Sequence, residues 1–416
     1  RRALVLSGGG ARGAYEAGVL RYILDAIPES TGEPVGFDIL CGTSVGAVNT
    51  AWLASTLHRP DRCARRMWYL WRTLKFTEVI EPSFATLWSK LKTALGGDPV
   101  PGTEPEGAAE GGNRGGVFTS TFFRELIRRE IDFGQIGRNL SDGLLDAVTV
   151  TATDIASGRA TVFAQTATGE LPPWTRDPRR VAVGGKLTPA EVLASAAIPM
   201  LFPAVQIGQR WFCDGGLRQN TPLTPALRLG ADRVLVVNLH SESMMPEPTT
   251  SPFEDDTIDA FRDRPPSFLF QIGKLLDALL LDPLEYDLMV LERINAILRQ
   301  TEEMFARDGR SGKEQLNEMM RAHRGLGYRV VETELLRPSR DLGKMAYDFA
   351  QSVDDDFWGS RMVGAVCERA LENEGYRESD LLSYLLFDGG YTGELLELGY
   401  EDAAANHDDL VEFFED

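Results

Sequence analysis

Apolar positions along the first 240 residues take two alternating forms. Ala3–Leu6 is a short unbroken apolar run stopped by glycines. From Ala14 to Ile27 the residues Tyr15, Val19, Leu20, Ile23, Leu24 and Ile27 recur with the spacing of one helix face, and Pro28 is expected to end that helix. Phe37–Cys41 is a second strand-like run, and a helix of small residues is expected from Val45. Strand followed by helix, twice in succession, implies an α/β fold with parallel strands joined by crossovers. Ala147–Thr153, Ala160–Ala164 and Arg233–Leu239 are further β-branched apolar runs that suit strands buried on both faces.

Two segments break this rhythm. Residues 96–116 are rich in Gly, Pro and Glu with no apolar period and read as an exposed loop. Residues 241–266 form a polar, Pro-bounded connector. Residues 267–299 then return to helical spacing, broken at Pro283. The chain is expected to re-enter the sheet at Tyr328–Glu332, and from about residue 345 it reads as helical and acidic. The expected organisation is a core over 1–240, a connector and helical insertion over 241–325, a return to the core over 326–345, and an acidic, mainly helical extension over 346–416. The 267–299 helices could pack on the core, act as a lid, or make a homodimer contact. Their polar face carries Asp277, Asp282, Glu285, Asp287 and Glu292 against Lys274, Arg293 and Arg299, a poor match to an anionic bilayer.

Charge sharpens this division. The net charge is −19, which disfavours sequence-independent binding to nucleic-acid phosphates. Residues 1–240 carry a net +3 and residues 241–416 a net −22. The acidic part is therefore expected to face solvent or a basic partner. With 43% hydrophobic and 25% charged residues the chain is of ordinary folded composition. No apolar run is long enough to span a bilayer, and a cytoplasmic or peripheral-membrane location is expected. The chain begins at Arg1 without Met and reads as trimmed. Cys41, Cys63, Cys213 and Cys367 form no CxxC pair and are expected to be free thiols.

Three motifs carry chemistry. Gly8-Gly9-Gly10-Ala11-Arg12-Gly13 lies between a strand and a helix. Glycines there let several N–H groups point at one anion beside a helix N-terminus. This fits either a dinucleotide fingerprint or an oxyanion hole. The dinucleotide reading needs an acidic ribose ligand at the end of the second strand, where Cys41 and Gly42 stand instead. Gly42-Thr43-Ser44-Val45-Gly46 matches G-x-S-x-G, in which glycines flank a sharp turn that lifts the serine to a helix N-terminus. A nucleophilic serine needs a base. Of the four histidines (His58, His240, His323 and His407), only His240, at a strand end, is a serious candidate, and it would make a Ser-His-Asp esterase. The other candidate is Asp214 of Asp214-Gly215-Gly216, approached by the apolar Trp211 and Phe212, whose burial would raise the proton affinity of the carboxylate.

Taken together, these motifs resemble the patatin-like phospholipases and lipid acyl hydrolases. That family's pattern is a G-G-G-x-R/K-G loop, a G-x-S-x-G elbow and a D-G-G/A, in the order found here. Thr151–Asp154 with Gly158, Ser195–Pro199 leading to Phe202-Pro203, and Glu332–Gly343 are also similar to family segments. The resemblance covers roughly residues 3–240. Ser7 departs from it, since plant members often have Asp there. The resemblance implies a three-layer α/β/α sandwich with a mainly parallel sheet. It also implies that Ser44 attacks an acyl ester, that Asp214 takes its proton, and that N–H groups around Gly9, Gly10 and Ala11 hold the oxyanion. Arg12 would add charge or brace the loop. No metal or cofactor is expected, and the substrate would be a phospholipid or other acyl-ester lipid, reached with or without peripheral membrane contact. Ile198, Pro199, Met200 and Phe202 are candidates to line an acyl channel.

Overall fold

The computed structural model describes residues 1–79, 120–174, 178–241, 284–306, 317, 327–354, 357 and 379–415. The 96–116 loop and most of the 241–266 connector lie outside the described residues, as does 267–283. The chain opens with β1 (Arg2–Leu6), a 3-10 turn at Gly10–Arg12, α1 (Gly13–Thr31), β2 (Ile39–Thr43) and α2 (Val45–Thr56). Helices α3 (Pro60–Arg72), α4 (Phe76–Val79), α5 (Thr121–Glu130) and α6 (Phe133–Ser141) follow. Next come β3 (Ala147–Asp154), β4 (Arg159–Thr166), β5 (Arg180–Gly184), α7 (Pro189–Ser195), β6 (Val205–Ile207) and β7 (Arg210–Asp214). The last part holds α8 (Leu223–Leu229), β8 (Arg233–Val237), α9 (Leu284–Ala306), β9 (Glu332–Leu336), α10 (Leu342–Ser352), α11 (Ser379–Leu385), α12 (Gly389–Ala405) and α13 (His407–Phe414).

The strands form one sheet in the order β5-β4-β3-β2-β1-β8-β9, with β7 also pairing with β3, and β6 with β7. The run from β3 through β2, β1 and β8 to β9 is parallel; β4 and β7 both lie antiparallel to β3, so the sheet is mixed. Strand alternation sends side chains to two cores. Leu4, Leu6, Leu40, Val148, Val150, Leu235 and Val237 pack on one face with α1, α2, α3 and α12. Ala3, Val5, Ile39, Cys41, Val234 and Val236 pack on the other with α8 and α9. The result is a three-layer α/β/α sandwich.

Three expectations need correction. Helix α1 does not stop at Pro28; it runs to Thr31, and Gly32 at φ 72 caps it by donating its N–H to the Pro28 carbonyl. The proline removes one helical donor, but only in the last turn. The returning strand is β9 at 332–336, four residues later than Tyr328–Glu332. β9 is the outermost strand beside β8, so its Glu332 can reach solvent and Arg233, 3.0 Å away. The acidic C-terminal part is not wholly turned to solvent. Tyr391, Leu395, Leu396 and Leu398 of α12 are buried in the larger core.

Helices α1 and α12 cross at near backbone contact. A Cβ on Gly18 would stand 2.1 Å from the Leu396 carbonyl oxygen, and one on Gly399 would stand 2.1 Å from that of Tyr15. Asn49 of α2 ties the same layer together: it donates to the Gly13 carbonyl and Glu16 and accepts from the Trp71 indole. Substituting Gly18→Ala or Gly399→Ala is expected to lower the unfolding free energy by about 1–3 kcal/mol, because backbone rather than a flexible side chain is struck. Denaturant unfolding followed by circular dichroism measures it; an unchanged midpoint would show that the helices separate without cost.

Candidate active site

The sheet register brings Ser44 and Asp214 together. β2 ends at Thr43 opposite Thr151 of β3, while β7 ends at Asp214 opposite Ala152. β4 occupies the other edge of β3, so β2 and β7 approach the same edge from opposite directions and meet end to end. The turn out of β2 is tight. Ser44 has φ 54 and ψ −123, in the left-handed half of conformational space that costs an L-residue about 1–3 kcal/mol. Both flanking glycines are required by space. A Cβ on Gly42 would lie 2.3 Å from the Gly46 carbonyl oxygen, and one on Gly46 would lie 2.4 Å from that of Leu6. Ser195 at the end of α7 steadies the turn by accepting the Ser44 N–H at 2.8 Å and donating to the Thr151 carbonyl at 2.6 Å.

Ser44 Oγ donates to Asp214 Oδ2 at 2.6 Å, and the Gly216 N–H donates to Asp214 Oδ1 at 2.7 Å. Both side chains are buried. Burial pushes the Asp214 carboxyl up to about 7, against the opposing pull of the hydrogen bonds from Ser44 and Gly216. The serine hydroxyl is thus bonded to a carboxylate and not to an imidazole. Among the described residues no histidine bonds Ser44 Oγ: the main-chain N–H of His240 donates to Asn238 Oδ1, the His407 ring bonds Tyr22 and Ser30, and His58 is exposed, while His323 lies outside the described residues. Burial pushes the Cys41 and Cys213 thiols up to about 12 and Cys63 up to about 11, so none of them supplies a thiolate near neutral pH. Among the described residues, no cluster of His, Cys, Asp or Glu is arranged to hold a metal ion.

The glycine loop lies beside Ser44: a Cβ on Gly8 would stand 2.9 Å from the Ser44 Cβ. Its amides are not equivalent. Gly8 donates to the Asn220 carbonyl, Arg12 to that of Gly9, and Gly13 back into the 3-10 turn. The amides of Gly9, Gly10 and Ala11 have no hydrogen-bond acceptor among the described residues. Arg12 is buried and does not reach toward Ser44. Its Nε donates to Ser383 Oγ at 2.7 Å, and its guanidinium lies 4.1 Å from the Tyr384 ring centroid. Gly10, at φ 58, passes so close to the Tyr384 carbonyl that a Cβ would lie 2.2 Å from it.

Ser44 opens into a narrow apolar cleft walled by Val45, Phe123, Leu193, Ile198, Phe202 and Phe387. Two of the four channel candidates, Ile198 and Phe202, line it; Pro199 and Met200 face a different, open depression with Ile155 and Arg218. Phe123 and Phe387 come from α5 and from the turn before α12, and no motif announced them. The only sequence signal for Phe387 is its apolar character in an acidic stretch.

A family model described as patatin-like phospholipase matches residues 4–227. The chain belongs to the patatin-like phospholipase family. No curated protein matches it. The crystal structure of VipD from Legionella pneumophila is similar over 95% of this chain and 66% of that one, at 13% identity and a TM-score of 0.29. The chain thus spans about two thirds of that protein's length. The patatin-like match ends within α8, so Ser383, Tyr384 and Phe387 lie beyond it and yet touch the glycine loop or the cleft.

The buried carboxyl has a consequence for stability. The Asp214 proton is held up to about pH 7 in the folded chain, against an ordinary value of 3.8. Its contribution to stability is therefore fully present below the unfolded value and is lost as pH rises through the window up to about 7. Asp214→Asn keeps the shape without the charge. It is expected to be more stable than wild type above about pH 7, with the difference shrinking toward pH 4. Denaturant unfolding at several pH values tests this, and a pH-independent difference would refute it.

Proposed function

We propose that this protein is a serine lipid acyl hydrolase working through a Ser44–Asp214 dyad. Family membership supports hydrolysis of lipid acyl esters in general. The observation that carries the finer reading is the 2.6 Å hydrogen bond from Ser44 Oγ to the buried Asp214 carboxylate at the mouth of an apolar cleft. Ser44 Oγ attacks the ester carbonyl carbon as Asp214 takes its proton. The tetrahedral oxyanion accepts hydrogen bonds from the amides of Gly9, Gly10 and Ala11, which act in a water-poor site where such bonds stabilise most. Collapse breaks the C–O bond, and Asp214 passes its proton to the leaving alcohol. A water then attacks the Ser44 acyl ester, gives one proton to Asp214, and the proton returns to Ser44 Oγ as the fatty acid leaves.

The raised Asp214 affinity suits this role, because a base is most effective when its pKa lies near the working pH. The acyl chain is assigned to the cleft between Phe123, Ile198, Phe202 and Phe387. A second apolar pocket, walled by Trp52, Met67, Trp71 and Leu126, meets the cleft at Val45 and Phe123 and would extend it for a longer chain. Arg12 has a bracing part in this reading, since its guanidinium is taken up by Ser383 and Tyr384.

Ser44→Ala and Asp214→Asn are each expected to lower kcat/KM on an acyl ester by about 10⁴ or more with the fold intact. Mass spectrometry of products from a mixed lipid extract, wild type against Ser44→Ala, reads this directly. Retained hydrolysis in either variant would sink the dyad. A fluorophosphonate probe should label wild type on Ser44 alone.

The rate is expected to follow ionisation of Asp214, rising with pH and levelling above about 7. A rate that stays level from pH 5 to 8 would exclude Asp214 as the base.

A further inference from the structure

We propose that Ile155, Met200 and Trp211, together with Arg159, Arg210 and Arg218, form a docking surface for an anionic lipid bilayer. The proposal rests on the lipid-hydrolase reading and extends it to how the substrate is reached. The three apolar side chains are 50%, 50% and 43% exposed, an unusual cost for a tryptophan, an isoleucine and a methionine set close together. They are neighbours in space. The Ile155 N–H donates to the Trp211 carbonyl at 2.9 Å, and Ile155 and Met200 border one open depression with Arg218. Arg159 stands opposite Asp154 across the tip of the β3–β4 hairpin.

Charge complementarity selects the occupant. The stretches 153–160, 196–202 and 207–218 contain only two carboxylates, Asp154 and Asp214, and both are buried. Arg210 covers Asp154 at 2.5 Å while its own side chain remains 65% exposed. Arg159 and Arg218 are exposed and have no carboxylate partner among the described residues. A cationic rim around apolar tips, on a chain with a net charge of −19, matches a surface that offers phosphate groups above hydrocarbon. Trp211 has the amphipathic ring that settles at such an interface. The surface is also continuous with the cleft. Trp211 and Asp214 share β7, and Phe202 borders both the Ser44 cleft and the depression that holds Arg218. A lipid lifted from the bilayer at this rim would therefore have a short path to Ser44.

The test uses the full chain carrying Ser44→Ala, so that vesicles are not consumed, with vesicles of phosphatidylcholine alone or mixed with phosphatidylglycerol. Ile155→Ser with Trp211→Ser is expected to lower sedimentation with both vesicle types by about tenfold. Arg159→Gln with Arg218→Gln is expected to weaken binding to the anionic vesicles by about fivefold for each charge removed, while binding to phosphatidylcholine is unchanged. With Ser44 intact, all these variants should turn over a soluble short-chain ester within about twofold of wild type. As a check that does not depend on the double variants folding, brominated lipid should quench a component of the tryptophan emission that Trp211→Phe removes. Undiminished sedimentation of the apolar double variant, or quenching that Trp211→Phe leaves intact, would overturn the docking surface. Vesicle binding with no hydrolysis of any ester by the Ser44-intact chain would leave the surface standing and remove the hydrolase reading instead.

Discussion

Everything at the centre of this molecule depends on how closely the backbone approaches itself around Ser44. The turn from β2 into α2 admits no Cβ at Gly42 or Gly46, because carbonyl oxygens of Gly46 and Leu6 occupy those places. Gly215 is under the same constraint: a Cβ there would lie 2.1 Å from the Thr151 carbonyl oxygen. These contacts hold Ser44 in a strained conformation and set the end of β7 beside it. The strain persists because the surrounding parallel sheet, the Ser195 hydrogen bonds and the buried polar tie through Asn49 over-determine it. A single hydrogen bond from Ser44 to Asp214 is then short by construction.

The same closeness sets the electrostatics. Asp214 is out of water and has only a hydroxyl and an amide to compensate its charge, so burial prevails and the proton is held more tightly. Such a group opposes folding when ionised and suits proton transfer when poised, the usual exchange of stability for activity at a site. The glycine loop is held from the far end of the sequence. Ser383 and Tyr384 take up the Arg12 guanidinium, and the Tyr384 carbonyl lies against Gly10. The C-terminal part thereby shapes the glycine loop that lies beside Ser44.

The parallel core could be read from sequence for physical reasons, whereas the pairing of Ser44 with Asp214 comes from the family resemblance of the three motifs, since spacing alone leaves His240 open as the base. Strands buried on both faces must be apolar and β-branched, and the glycines at the turns are imposed by backbone contact. The misplaced features follow different physics. β6 and β7 are short and pair antiparallel at the end of β3, so neither shows a long alternating run. β9 at the sheet edge tolerates Glu332 and Glu334 where an interior strand would not. Phe387 and Tyr384 reach the site through tertiary packing across more than three hundred residues, which no local spacing encodes. Pro199 and Met200 sit beside Ile198 in sequence, but Met200 adopts φ 68, and the chain turns both away from the cleft that Ile198 lines.

Charge follows the direction of the strands. At the N-terminal ends of β1 and β8, Arg2 and Arg233 donate to the carbonyls of Phe414 and Phe413, cations set where the α13 dipole is negative. There α13 brings Asp409 and Glu412 near Glu334, whose carboxyl is raised above its ordinary range by burial and then by those like charges. Ser44 and the hairpin tip with Ile155 and Arg159 lie instead at the C-terminal ends of β2 and β3. Among the described residues, the acidic helix α13 with Asp409 and Glu412 is thus docked at the end of the sheet away from Ser44. On the docking proposal, an anionic surface would repel that end and attract the rim of Arg159, Arg210 and Arg218, orienting the molecule before contact. Under the docking proposal it is the half of the chain with net charge +3, and not the half with −22, that meets the anionic lipid.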